Sequence, residues 1–124
     1  NGLEKRIQYI SVHDDQNFTF LVAEIDGRVV GCAGLYWYVI PSKGLMGWIE
    51  EVVVDQNYHR KGVASALIQE LLDLADEQEL VQVKLTTGTE GAQHVYEKHS
   101  FVVKEADGVR EILMVRKGDN YVLE

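Results

Sequence analysis

The 124-residue chain holds one cysteine, Cys32, and one proline, Pro41. A lone cysteine excludes an internal disulfide, and with four scattered histidines it excludes the usual four-ligand structural zinc site, so no metal is expected. The scarcity of proline, together with the lack of linkers, repeats or low-complexity stretches, points to a single domain over residues 1–124. Basic residues are few: 12 Lys and Arg against 20 Asp and Glu leave a net charge of −8, which argues against an extended nucleic-acid footprint. No apolar run approaches the roughly 18 to 20 residues of a membrane helix, and the opening NGLEKRIQYI lacks a signal peptide's apolar centre. A cytoplasmic location with no membrane partner is therefore the expectation. The sequence opens at Asn1, without methionine.

What is present is patterned. Residues 18–25 and 28–40 are rich in β-branched and aromatic residues and flank Asp26-Gly27, a two-residue hairpin signal. A third strand, 45–54, follows the turn residues of PSKG. From residue 61 the period changes: Val63, Ala64, Leu67, Ile68, Leu71, Leu74 and Ala75 recur at three and four, which predicts a helix ending near Gln78. Its other side carries Glu70, Asp73, Asp76, Glu77 and Glu79, an ordinary solvated face. A strand over 81–87, a short helix over 89–99 and a hairpin of 101–105 with 109–117, turning at Asp107-Gly108, complete the pattern. Residues 1–17 offer a short helical segment (Leu3, Ile7, Ile10) and then a polar loop. The expected fold class is α+β, order βββαβαββ after that helical segment, with a strand-helix-strand crossover at its centre.

The most informative stretch is VVVDQNYHRKGVASALI, in which an apolar strand ends, a polar turn follows and Gly62 opens the main helix. A helix's first turn has backbone N–H groups without intrahelical partners and a partial positive charge, so this is anion-binding chemistry. Gly62 permits close backbone approach or positive φ, Ala64 and Ser65 leave the turn uncrowded, and Arg60 and Lys61 form a cationic island on an acidic chain. Neither a phosphate-binding GxxxxGK[ST] nor a GxGxxG frame is present.

His59-Arg60-Lys61-Gly62-Val63-Ala64 resembles the acetyl-CoA loop of the GNAT superfamily of N-acetyltransferases, Gln/Arg-x-x-Gly-x-Gly/Ala, with His59 at the departing first position. TEGAQHVYEKHSF (89–101) is similar to that family's Asn-x-x-Ala-x-x-x-Tyr-Glu-Lys-x-Gly-Phe segment; Ala92, Tyr96, Glu97, Lys98 and Phe101 are in register, while Thr89 replaces Asn and Ser100 replaces Gly. The resemblance covers residues 18–117. It implies an αβα sandwich around a mixed, mainly antiparallel twisted sheet, and acetyl-CoA as co-substrate. Its pyrophosphate would lie on His59, Arg60, Lys61, Gly62, Val63, Ala64 and Ser65, its pantetheine arm along Val52, Val53 and Val54, and a further contact at Thr89. A strand and two helices are also implied ahead of residue 18. Seventeen residues cannot hold all three, so a chain shortened at its N-terminus, by trimming or divergence, is expected; its acceptor wall would be partial or supplied by a second subunit of a homodimer.

Acetyl transfer to an amine needs a base, because an alkylamine near pKa 10.4 is mostly protonated at neutral pH. Glu50 and Glu51 interrupt an otherwise apolar strand, and alternation aims one into the cleft unless a bulge re-aims both. Glu50, on the face of Trp48, is preferred. The resemblance makes Tyr96 the acid toward the thiolate, and a backbone N–H of Val52 or Val53 would meet the oxyanion if the strand bulges and splays. Cys32, between Gly31 and Ala33, reads as core, and His13, His94 and His99 as surface. Glu50, Glu51, Tyr36, Trp37, Tyr38 and Trp48 favour a small cationic amine as acceptor. The rival expectations are a protein or peptide N-acetyltransferase, a non-catalytic acyl-CoA-binding module and a nucleotide-binding domain.

Overall fold

Asp26 and Gly27 both take positive φ, 53° and 79°, the pairing that lets a two-residue turn follow the right-handed twist of a hairpin. In the computed structural model, which describes residues 7–15, 17–88, 90–107 and 111–119, this turn joins β2 (Phe18–Ile25) to β3 (Arg28–Ile40). β4 (Gly44–Val54) continues the meander, a short 3-10 turn (Gln56–Tyr58) follows, and α1 (Val63–Glu77) crosses to β5 (Gln82–Thr87). Then come α2 (Glu90–Glu97), β6 (Val102–Asp107) and β7 (Glu111–Lys117). Gly108, the second residue of the expected last turn, lies outside the described residues, but β6 and β7 pair antiparallel with Asp107 opposite Glu111.

The expected N-terminal helical segment is instead a strand. β1 (Ile7–Asp15) runs antiparallel to β2, with Tyr9 opposite Ala23 and Asp14 opposite Thr19, so the order is ββββαβαββ. Ile7 and Ile10 fit a helical spacing, yet Ile7, Tyr9 and Ser11 also alternate, and the backbone groups along the edge of β2 supply partners that no local pattern reveals. Leu3 lies outside the described residues. Of the strand and two helices implied ahead of residue 18, the described residues hold the strand alone.

The seven strands lie in the order β1-β2-β3-β4-β5-β7-β6. β4 and β5 are parallel, and the other described neighbours antiparallel, as a helical crossover between them requires. Alternation places Leu21, Ala23 and Ile25 of β2, Ala33, Leu35 and Trp37 of β3, and Ile49 of β4 against the stripe of α1, whose Val63, Leu67, Ile68, Leu71, Leu72 and Ala75 are buried. Leu72 takes the buried place expected of Leu74, which is half-buried. Fully burying each such aliphatic side chain contributes roughly 1.5–3 kcal/mol, which makes this stripe the main tie between helix and sheet. Tyr96 and Phe101 join the same core from the second helix and the turn after it. The acidic side of α1 is exposed, and Asp76 receives both guanidinium nitrogens of Arg116, at 3.0 and 3.1 Å.

Candidate active site

β4 and β5 pair only from Met46 with Gln82 to Trp48 with Lys84. Beyond that point β4 follows β3 to Val54 and β5 follows β7 to Thr87, so the two parallel strands part into a V. A bulge contributes to the divergence. Cys32 pairs with Val53 but Gly34 pairs with Glu50, which leaves two β4 residues opposite one of β3, and Glu51 sits there in the left-handed region at φ 58°. Such a conformation costs a non-glycine residue about 1–2 kcal/mol. The extra residue also swaps faces. Ahead of it Ile49 faces the core; beyond it Val52 and Val54 pack there, and Val53 turns outward at 53% exposure.

The chain then turns sharply. Asp55 donates its backbone N–H to the Val30 carbonyl at 2.8 Å and accepts one from Asn57 at 2.8 Å, capping the 3-10 turn. His59 Nε2 donates to the Val54 carbonyl at 2.8 Å, so this ring bonds back to the end of β4 and carries its proton on Nε2. Arg60 (φ 62°) and Gly62 (φ 85°) are left-handed, and Gly62 is the N-cap of α1 with no side-chain capping bond. The first turn of α1 carries no acidic residue, and its first α-helical bond runs from the Ala66 N–H to the Gly62 carbonyl at 2.9 Å. The preceding N–H groups therefore face the approach to the helix with its positive dipole end. The Lys61 ammonium lies 5.5 Å from the centroid of the Tyr58 ring.

The segment after α2 has its own logic. The Phe101 N–H bonds the Tyr96 carbonyl at 3.2 Å and the Ser100 N–H bonds that of Glu97 at 3.2 Å, the paired bonds of a Schellman cap, with Ser100 left-handed at φ 71°. The hydrophobic contact typical of that cap is the edge-on packing of the Tyr96 and Phe101 rings, centroids 5.9 Å apart. The spacing of Tyr96, Ser100 and Phe101 thus sets the helix end that fixes the tyrosine. Burial pushes the Tyr96 phenol above its ordinary value, so it remains protonated at neutral pH.

Between the end of β4, the 58–65 turn and α2 lies a cleft of about 680 Å³. It brings together Val52, Val54, His59, Arg60, Gly62, Val63, Ala64, Ser65 and Tyr96 of the expected site residues. Glu50, Glu51, Val53 and Lys61 are not on its lining, and Thr89 lies outside the described residues. Tyr58, Ala92, His94, Val95 and Lys98 line it as well; the helical spacing of Ala92, Val95 and Tyr96 was the available signal for that wall. His94 is exposed as expected, whereas His99 is half-buried and its Nε2 lies 2.8 Å from Ser65 Oγ, contrary to its reading as a surface residue. Burial first, then Arg116 and Lys98, lower the His99 pKa. Sequence gave no sign of this contact, since the two residues are 34 positions apart.

Glu50 belongs to the sheet face away from the α1 core. The Trp48 indole N–H donates to its Oε1 at 2.6 Å, and Tyr36, paired with Trp48 across the strands, has its pKa raised by burial, then by Glu50 and Tyr38. The stacked rings of Phe18 and Phe20, 6.4 Å apart, lie over Gly34, where a Cβ would come within 3.1 and 3.3 Å of them. Trp37 points the other way into the core. Cys32, expected in the core, is half-buried outside it, with Sγ 3.9 Å from the Glu51 carbonyl; burial and then Glu51 raise its pKa, so the thiol keeps its proton. Among the described residues no group of three or more His, Cys, Asp or Glu could hold a metal ion, and no helix is long and apolar enough to cross a membrane.

The model of the acetyltransferase (GNAT) family matches residues 2–101. The chain is similar to the GNAT-family acetyltransferase of Streptococcus pneumoniae, with TM-score 0.73 and 23% identity over 84% of this chain and 68% of that one. It is similar to a GNAT-family acetyltransferase of Elizabethkingia anophelis solved with acetyl-CoA bound, with TM-score 0.71 and 14% identity over 90% and 96% of the two chains. The Arabidopsis thaliana Naa50, in complex with the bisubstrate analogue CoA-Ac-MVNAL, is similar at TM-score 0.69 and 18% identity over 79% and 72%. At these identities the likeness to the solved structures is one of fold.

Proposed function

The chain belongs to the GNAT acetyltransferase family, and from that premise we propose that it moves an acetyl group from acetyl-CoA to the primary amine of a small cationic molecule by direct attack in a ternary complex. The observation that carries the reading is the cleft itself, which runs from the parted end of β4 to the uncapped N-terminus of α1 with Tyr96 in its wall. Its volume is of the size that holds a cofactor-like ligand. The turn offers backbone N–H groups, a left-handed glycine and the cation Arg60 to a pyrophosphate, and no acid in the first helical turn to repel it. Val52 and Val54 offer a half-buried strand end to the amides of the pantetheine arm, as peptides add to a sheet edge.

In this reading Glu50 is the base. At pH 7 roughly one alkylamine in 2,500 is neutral, so attack needs a group that takes the amine proton, directly or through water, a general-base role that contributes about 10²- to 10⁴-fold. Trp48 holds that carboxylate in one direction. The bulged strand at Val52 or Val53 supplies an N–H to the oxyanion, and the protonated Tyr96 phenol donates to the sulfur as the C–S bond breaks. Phe18, Phe20, Tyr36 and Trp48 give the acceptor's carbon body an aromatic floor beside the Glu50 carboxylate, which suits a cation.

A peptide acceptor is the second reading, because the similar plant enzyme holds a peptide-bearing analogue and Glu50 and Glu51 are exposed here. Calorimetric binding of acetyl-CoA, followed by thiol release against panels of small amines and of peptide N-termini, tests both. Turnover on the amines supports the proposal; turnover on peptides alone replaces it, and binding without turnover on either leaves an acyl-CoA-binding module.

A further inference from the structure

The contact between Ser65 and His99 is the one polar bond between the first turn of α1 and the end of α2 among the described residues, and catalysis as proposed above does not use it. Ser65 is the third residue of α1 and lines the cleft, while His99, its partner, is not on the lining. His99 is not free to wander. It is the cap residue of the Schellman turn that also fixes Tyr96, and its N–H bonds the Tyr96 carbonyl at 2.9 Å. We propose that His99 is a positioning residue for the anion cradle: it aims the Ser65 hydroxyl at a bound pyrophosphate and ties that cradle to the helix that carries Tyr96. This rests on the reading of the cleft as a coenzyme A site.

The donor and acceptor inventory gives the contact a direction. A serine left alone in a helix's first turns bonds its own backbone, which wastes the hydroxyl. If Ser65 donated to His99, only lone pairs would face an anion. With Nε2 as the donor, the Ser65 proton is released to point into the cleft, where a phosphate oxygen accepts it. Burial first, then Arg116 from β7 and Lys98 beside it, disfavour a charged ring, so the donor in the coenzyme A complex is the neutral ring in the tautomer that places its proton on Nε2, 2.8 Å from Ser65 Oγ. Pyrophosphate in the cleft therefore selects that tautomer.

The test measures dissociation constants for coenzyme A and for pantetheine, which lacks the pyrophosphate, by titration of wild type, Ser65→Ala, His99→Ala, His99→Gln and the double alanine variant. The ring nitrogens of His99 are followed by 15N NMR. Losing one hydrogen bond to a charged group predicts coenzyme A binding about 10- to 150-fold weaker in His99→Ala and in Ser65→Ala, with no further loss in the double variant. His99→Gln, whose amide can donate from the same place, restores affinity, pantetheine binding is unchanged throughout, and coenzyme A moves the wild-type ring to the Nε2–H tautomer. Unchanged coenzyme A affinity in the single variants, or an equal loss for both ligands, overturns the inference while leaving the site in place. Failure of the wild type to bind coenzyme A overturns the reading beneath it.

Discussion

The indole N–H of Trp48 donates to Glu50 Oε1 at 2.6 Å, so the carboxylate is held by the residue two places back on its own strand face. Glu51, the neighbouring carboxylate, occupies the left-handed bulge position instead, and among the described residues no side chain tethers it as Trp48 tethers Glu50. The two adjacent acids thus differ in direction and in restraint. Glu50→Gln is expected to lower kcat by about 10²- to 10⁴-fold, the span of a general base, and Glu51→Gln to change it several-fold at most. Trp48→Phe should lower kcat roughly 3- to 10-fold with the KM for acetyl-CoA unchanged, since it removes one hydrogen bond that orients the base. Steady-state kinetics on the three variants check all of this.

Tyr96 is expected to act in the transition state. Tyr96→Phe should reduce kcat more than it raises the dissociation constant of acetyl-CoA, a split that stopped-flow and equilibrium binding resolve. Because burial raises its pKa, the phenol stays a donor through the alkaline range, and the wild-type kcat profile should show no loss attributable to it below about pH 10.

Ser100 occupies the left-handed cap position at φ 71°, where glycine carries no Cβ penalty. Ser100→Gly is expected to stabilise the fold by about 1 kcal/mol and to raise Tm by roughly 3–5 °C, read by thermal unfolding. A fall in Tm would mean that the serine makes a stabilising contact there.

The lowered pKa of His99 has a sign that can be worked out. The folded ring takes its proton at lower pH than the unfolded one, whose value is near 6.5, so between the two values the unfolded chain binds more protons. Its contribution to stability is present above about pH 6.5 and is lost as pH falls through the folded value. Tm measured from about pH 7.5 down to about pH 5 should drop more steeply in the wild type than in His99→Gln.

Much of this was legible in the sequence because local chemistry dictated it. Asp26-Gly27 can hardly do other than turn, the spacing from Val63 to Ala75 commits one face to the core, and Gly62 at a strand-to-helix turn marks the uncapped helix end. The cap spacing of Tyr96, Ser100 and Phe101 likewise carries its geometry with it. What the sequence hid depends on partners distant along the chain. Residues 7–15 are a strand because the β2 edge is there to receive them, and His99 meets Ser65 only once both helices have packed, whereas Cys32 stands outside the core by alternation with the buried Ala33, Leu35 and Trp37. Nothing local distinguishes Leu72 from Leu74 as the more buried residue; the roll of α1 against the sheet does.

The central claim is that the turn at Gly62 and the cleft behind it receive the pyrophosphate of acetyl-CoA. It is tested most directly by calorimetric titration of acetyl-CoA into the wild type and into Gly62→Val, with thermal unfolding of both to show that the variant is folded. A β-branched residue at φ 85° is strained and blocks backbone approach, so one-to-one binding by the wild type and at least about tenfold weaker binding by the variant are predicted. Equal affinity in a folded variant, or no binding by the wild type, would contradict the account.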